Sequence, residues 1–427
     1  MVRGMTHATV GGGRPLAKVL VTAAVIVAAV IVAAVMGTAV IVAAVMGAAA
    51  EEGIESQPNA ECGRRCVGFS GSIFRSEFGM LKPDMPEASR FQNPEPIPSD
   101  QHGLAIALEP TLRQACDGRL SDVGWFHSGW QHSGAETGFA TWTMRDGRRV
   151  DVVIKLPISP NELRWTSLLG GVREEEFDAP QHRDLPVPRV FRSGDQLGSY
   201  DLAWMVVERL PGKTLASNLG EASVRSLIVG LHRFHEAARR RRPVSGQPTR
   251  EDWDALLQKS RESLHEHQEL PEVQRWNEAV KKVQRHVPSL VSRWEGRTIC
   301  TWCHGDFHPG NAMRRSGDGA SCDANEGCVL VDLALMHAGH WIEDAVYLER
   351  LYWGKPELLH GVRPVAMLAK LRRDHGLHND EDYPKLAAAR RVLMAATAPA
   401  FMQTEGHPRY LHAALEVMEQ QLALAVG

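Results

Sequence analysis

The sequence predicts a two-lobed α+β fold over residues 101–427: a five-stranded antiparallel sheet with one helix, then a mostly helical lobe. Three observations predict it. Short runs rich in β-branched and aromatic residues crowd the stretch before Pro211-Gly212. Beyond that pair the apolar period becomes helical, with Val224, Leu227, Ile228, Leu231 and Phe234 in register. Inside the helical part lies one polar, glycine-bearing turn, CHGDFHPGN from Cys303 to Asn311, followed by the apolar run VLVDLAL from Val329 to Leu335.

The elements follow in order. Leu120 to Ser128, Phe139 to Met144 and Val150 to Leu156 read as strands, and Asp146-Gly147 between the last two is a hairpin signal. A helix is expected over Asn161 to Leu169, then strands over Val187 to Arg192 and Leu202 to Glu208. After residue 212 everything reads as helix except a catalytic hairpin from Thr298 to Leu335, whose insert Ser316 to Gly327 is a long polar loop. Before the fold, residues 51–100 are rich in Pro, Ser and Gly without a sustained period and read as a disordered linker.

The net charge of −3 gives no reason to expect a nucleic-acid partner. Seven cysteines, an odd number, argue against a secreted disulfide framework. Cys300, Cys303, Cys322 and Cys328 flank the turn. Cys300 and Cys303, an odd step apart, would point to opposite faces of a strand, so buried free thiols are expected rather than a zinc site.

Phosphoryl transfer needs a carboxylate to orient and deprotonate a hydroxyl, with an Asn and an Asp to hold Mg²⁺. Asp306 stands five residues before Asn311, the spacing of the protein-kinase catalytic loop, and Asp332 emerges from the apolar run. Gly305 and Gly310 allow the tight turning that faces Asp306 and Asn311 to one cavity. His304 to Asn311 resembles the signature of the aminoglycoside phosphotransferase and choline kinase-like family, over about 101–427 and most strongly over 303–345. That resemblance implies a protein kinase-like fold, an N-lobe at 101–212, a C-lobe at 213–427 and a catalytic loop at 303–311.

The resemblance implies a role for each candidate. Asp306 is the catalytic base, and Asn311 and Asp332 are the metal ligands. Lys155, at the end of the strand after the hairpin, holds the ATP phosphates, oriented by Glu162, with Glu174 to Glu176 as the alternative partner. The phosphate-covering loop lies in Ser128 to Gly138, with Gly129, Ser133 and Gly134 against the nucleotide, and backbone groups of Glu208 to Leu210 meet adenine. Leu333, after the metal Asp, departs from the aromatic residue common in related kinases. Asp344 is expected to cap a helix, and His308 to shape its loop. Gly212-Lys213-Thr214 is not a P-loop, because Val207 stands where the first glycine is required.

The expected activity is ATP- and Mg²⁺-dependent transfer to a hydroxyl of a small molecule. The alternatives are a non-catalytic kinase-like nucleotide-binding module and a protein kinase. Residues 19–50 are uncharged and long enough for a membrane helix. They contain a ten-residue near-repeat, VIVAAVMGTA then VIVAAVMGAA, which favours a low-complexity extension within the apolar segment 1–50 over a selected membrane helix. Arg3, Arg14 and Lys18 before the run and Glu51, Glu52 and Glu55 after it would direct the following domain outward. An ATP-using domain is expected in the cytoplasm, so the anchor and the chemistry pull in opposite directions.

Overall fold

The computed structural model describes residues 103–126, 136–177, 179, 185–315 and 327–427. The apolar segment 1–50, the linker 51–100, Gly129, Ser133, Gly134 and residues 316–326 lie outside them. Among the described residues no helix is long and apolar enough to cross a membrane.

The N-lobe opens with α1 (Gly103–Ala115), followed by β1 (Leu120–Phe126), β2 (Glu136–Thr143) and β3 (Arg149–Leu156). Then come α2 (Pro160–Gly170), β4 (Val190–Gly194) and β5 (Trp204–Glu208). The strands form one antiparallel sheet in the order β1-β2-β3-β5-β4. The β2–β3 hairpin pairs Thr143 with Arg149 and Glu136 with Leu156, and Gly147 turns it at a φ of 86°. Alternation along β3 buries Val152, Ile154 and Leu156 on one face, where Ala105, Leu108 and Leu112 of α1 join them. Val153 packs on the other face, with Met205 and Val207 of β5.

Two helices rather than one therefore accompany the sheet. The apolar residues of α1 are spaced as on one helical face, but Pro110 inside it removes a backbone donor and masks the pattern.

In the C-lobe, α3 (Glu221–Arg241) is followed by α4 (Trp253–Glu266), α5 (Val273–Gln284) and α6 (Val287–Glu295). The strands β6 (Thr301–Cys303), β7 (Ala312–Met313), β8 (Val329–Leu330) and β9 (His337–Gly339) make two small pairs, β6 with β9 and β7 with β8. The helices α7 (Glu343–Leu351), α8 (Pro364–Asp374), α9 (Tyr383–Ala396) and α10 (Pro408–Val426) complete the lobe. Leu227, Ile228, Leu231 and Phe234 make the buried stripe of α3. Alanines on α9 (Ala387, Ala388, Ala389, Ala395, Ala396) are fully buried, which lets neighbouring helices approach closely.

On the buried side of α3, the His232 ring packs 4.5 Å from that of His375. Burial first, and then the neighbouring His375 and His235, push the His232 pKa down to about 4. The unfolded chain thus takes up this proton near pH 6.5, and the folded chain only near 4. The stability held at neutral pH is lost as the pH falls through that window. Urea midpoints measured at pH 7 and pH 5 should drop less for His232→Gln than for the wild type. Equal drops would show that this histidine does not titrate with folding.

Candidate active site

The site begins on β3. Lys155 is paired in the sheet with Thr137 on one side and Met205 on the other. One loop later, Ser159 caps α2: its hydroxyl accepts the Glu162 amide proton at 3.0 Å, with Pro160 at the first helical position. That first turn aims the buried Glu162 at Lys155, and the ammonium donates to its carboxylate. Burial alone would lower the Lys155 pKa, but the Glu162 and Asp332 carboxylates outweigh it and hold the ammonium charged. The alternative partners are engaged elsewhere, Glu174 with Arg119, Glu175 with Arg145 and Glu176 with Arg173.

Across the cleft, β6 delivers the chain into the turn His304–Asn311. Gly305 has a φ of 87°, and a Cβ there would lie 2.2 Å from the Leu335 carbonyl oxygen, so only glycine fits. The turn is braced from α7. The buried Asp344 carboxylate accepts the backbone N–H of His304 at 2.8 Å and of Gly305 at 3.0 Å, and lies 3.1 Å from His235 Nε2. Asp344 was expected to cap a helix. Instead α7 has no side-chain cap, and Asp344 serves the turn, because the backbone donors of a tight turn have no ladder to join.

Asp306 is held from three sides. Asn311 Nδ2 donates to its backbone carbonyl and to Oδ2, both at 3.0 Å. The Tyr347 hydroxyl donates to Oδ1 at 2.8 Å, and His308 Nε2 lies 3.5 Å from Oδ2. Burial would raise the Asp306 pKa, but hydrogen bonds and charge from His308, Tyr347 and His304 overcome it and hold the carboxyl at about 2. His308 Nδ1 also accepts the Gly310 N–H at 3.0 Å, which shapes the loop. The sequence reading missed Tyr347. It stands three residues after Asp344, so one helical face presents both to the turn, and that spacing was the available signal.

The Val331 N–H donates to the Asn311 carbonyl at 3.0 Å, bringing Asp332 beside the turn. Asp332 has a φ of 64°, a left-handed conformation costly for a non-glycine residue and frequent at functional sites. A cleft of about 770 Å³ joins Lys155, Glu162 and Asp332 to Glu208 and Leu210. Its apolar walls include Val153, Met205, Val207, Met313 and Leu330. The Glu208 side chain is taken up by Arg189 and by Arg315 from the other lobe, and its N–H donates to the Arg189 carbonyl at 2.8 Å. The candidates Gly129, Ser133 and Gly134 lie outside the described residues.

Among the described residues, Cys303, His337 and Glu343 bring three ligand-type atoms within 4.8 Å of one another. Arg297 Nε donates to Glu343 at 2.9 Å, and burial pushes the Cys303 thiol well up, so a guanidinium already fills the cation's role.

Replacing Asp344 by Ala leaves two buried turn amides without an acceptor. A loss of roughly 3–5 kcal/mol is expected, as for breaking a buried hydrogen-bonded charge. Urea unfolding reads it; a loss under about 1 kcal/mol would show that water can replace the carboxylate.

The model of the phosphotransferase enzyme family matches residues 174–389. No curated protein matches. Among solved structures, an aminoglycoside phosphotransferase from Alicyclobacillus acidocaldarius is 18% identical, with 73% of this chain and 92% of that one covered at a TM-score of 0.43. An aminoglycoside phosphotransferase from Streptomyces rimosus, in complex with ADP and streptomycin, is 16% identical, with 69% and 97% covered at 0.36. Plasmodium vivax ethanolamine kinase is 11% identical, with 77% and 90% covered at 0.40. With the family model spanning the helix-to-turn region that carries Asp306, Asn311 and Asp332, the chain belongs to the phosphotransferase enzyme family.

Proposed function

We propose that the chain transfers the γ-phosphoryl group of ATP to a hydroxyl of a small molecule, with Mg²⁺. The observation that carries this reading is the Lys155–Glu162 ion pair opening onto the same cleft as Asp332. In this reading Lys155 binds the α- and β-phosphates, Glu162 orients it, and adenine lies between the apolar walls against backbone groups of Glu208 and Leu210. Gly129, Ser133 and Gly134 belong to the loop proposed to cover the phosphates.

The donor set suits a hard cation. Asn311 spends its Nδ2 on Asp306, leaving Oδ1 for a ligand, and Asp332 brings a carboxylate into the cleft. Asn311 and Asp332 would hold Mg²⁺, which supplies charge neutralisation at the phosphate oxygens when bound.

Asp306 accepts the proton of the acceptor hydroxyl. A carboxylate held at about 2 is a weak base, so its larger contribution is orientation. That suffices for a loose phosphoryl-transfer transition state, which asks little of the nucleophile before bond formation. The two-lobed domain begins at about residue 101, and everything in this reading lies after Leu120.

ATP consumption over a panel of aminoglycosides, choline, homoserine and sugars tests the reading. One class should be turned over, and Asp306→Asn should reduce kcat by roughly 10²–10⁴ with nucleotide binding retained. Near wild-type kcat in that variant would remove Asp306 from the chemistry. Because Asp306 is ionised above about pH 2, kcat/KM should show no acid limb from it between pH 8 and about 5. Its native contacts add stability that is present above the usual 3.8 and lost as pH falls through about 2. An acid limb near pH 6 that vanishes in Asp306→Asn would contradict both statements.

A further inference from the structure

We propose that Asn161 is a positioning residue for phosphoryl transfer, its side-chain amide acting as a latch between the helix carrying Glu162 and the segment carrying Asp332. The inference rests on the phosphotransfer reading above.

Asn161 is the second residue of α2 and directly precedes Glu162. Its Nδ2 donates to the carbonyls of Ala334 and Met336, both at 2.9 Å, so the amide spends its donors on the other lobe. These two carbonyls flank Leu335. The Leu335 carbonyl in turn accepts from His337 Nδ1 at 2.9 Å and lies against Gly305, where no Cβ fits. The segment after Asp332 is thus gripped between α2 on one side and the turn bearing Asp306 on the other.

Side chains at successive helical positions diverge around the axis, so α2 reaches two ways from one turn. Glu162 holds Lys155, and Asn161 holds the backbone two and four residues beyond Asp332. Leu333 anchors the same segment in the core at 1% exposure. A shift of α2 that loosened Lys155 would therefore also pull on the Asp332 segment. The Ser159 cap fixes the first turn that carries both residues, which makes them one rigid unit. The bond pair asks for an amide: an aspartate of the same shape would set carboxylate oxygens against two carbonyl oxygens.

The test uses the full chain with Asn161→Asp, and Asn161→Ala as the milder change. Three readouts are taken: steady-state kinetics, thermal midpoint, and amide hydrogen exchange of the peptide covering 332–337. We expect faster exchange confined to that peptide. We also expect kcat about tenfold lower with KM for ATP within about threefold and a midpoint lowered by only a few degrees. Combined with Glu162→Gln, the loss should be less than the product of the single losses, because both variants free the same helix turn.

Unchanged exchange at 332–337, or acceleration spread through the whole lobe in both variants, would overturn the latch. Faster local exchange with wild-type kcat, or strictly multiplicative losses, would overturn its part in positioning. A wild-type chain that transfers no phosphoryl group would defeat the phosphotransfer reading and the positioning role together, while the exchange result would still decide the contact.

Discussion

The constraint on which the rest depends is the buried carboxylate of Asp344. It takes the two turn amides of His304 and Gly305 and meets His235 of α3, so three separate elements converge on one charge. Burial would raise its pKa, but His235, His304 and the Gly305 amide keep it ionised, and an ionised acceptor holds backbone donors more strongly than a neutral one. With the turn fixed, Gly305 can lie against Leu335, and the Asp306 side chain is free to reach Asn311 and Tyr347. The Asp306 carboxylate is thus held by residues that do not line the cleft.

The two lobes meet through shared apolar packing, in which Trp165, Leu169 and Val187 join the C-lobe core with the Trp165 ring 4.6 Å from that of Trp302, and through a set of directional contacts. Arg315, just after β7, reaches the carbonyls of Leu185 and Val187 at 3.1 Å each and pairs with Glu208 at the end of β5. The Leu330 N–H donates to the Pro186 carbonyl at 2.8 Å. Polar contacts of this kind fix the angle between lobes that the shared core holds together.

Much of the fold was legible because its signals are local. Runs of β-branched and aromatic residues marked β3 and β5, Asp146-Gly147 marked the hairpin, and the period change after Gly212 marked the second lobe. The helix after β3 was also legible, and with it Glu162, because it follows Lys155 as closely as the resemblance to the family implies. What escaped depends on distant parts of the chain. Pro110 hid α1, Tyr347 matters only because α7 packs against the turn, and Asp344 satisfies donors some forty residues away rather than those of its own helix. Asn161 is the extreme case, since its partners lie 173 and 175 residues further on.

In the proposed function, Lys155, Asn311 and Asp332 together form a site for a metal-bound nucleotide. Calorimetric titration with a non-hydrolysable ATP analogue, with and without Mg²⁺, tests it most directly. Binding should be at least about tenfold tighter with Mg²⁺. That gain should disappear when Asp332 is replaced by Ala, while the weak metal-free binding remains. Binding of equal strength with and without Mg²⁺, or a Mg²⁺ gain that survives Asp332→Ala, would contradict it.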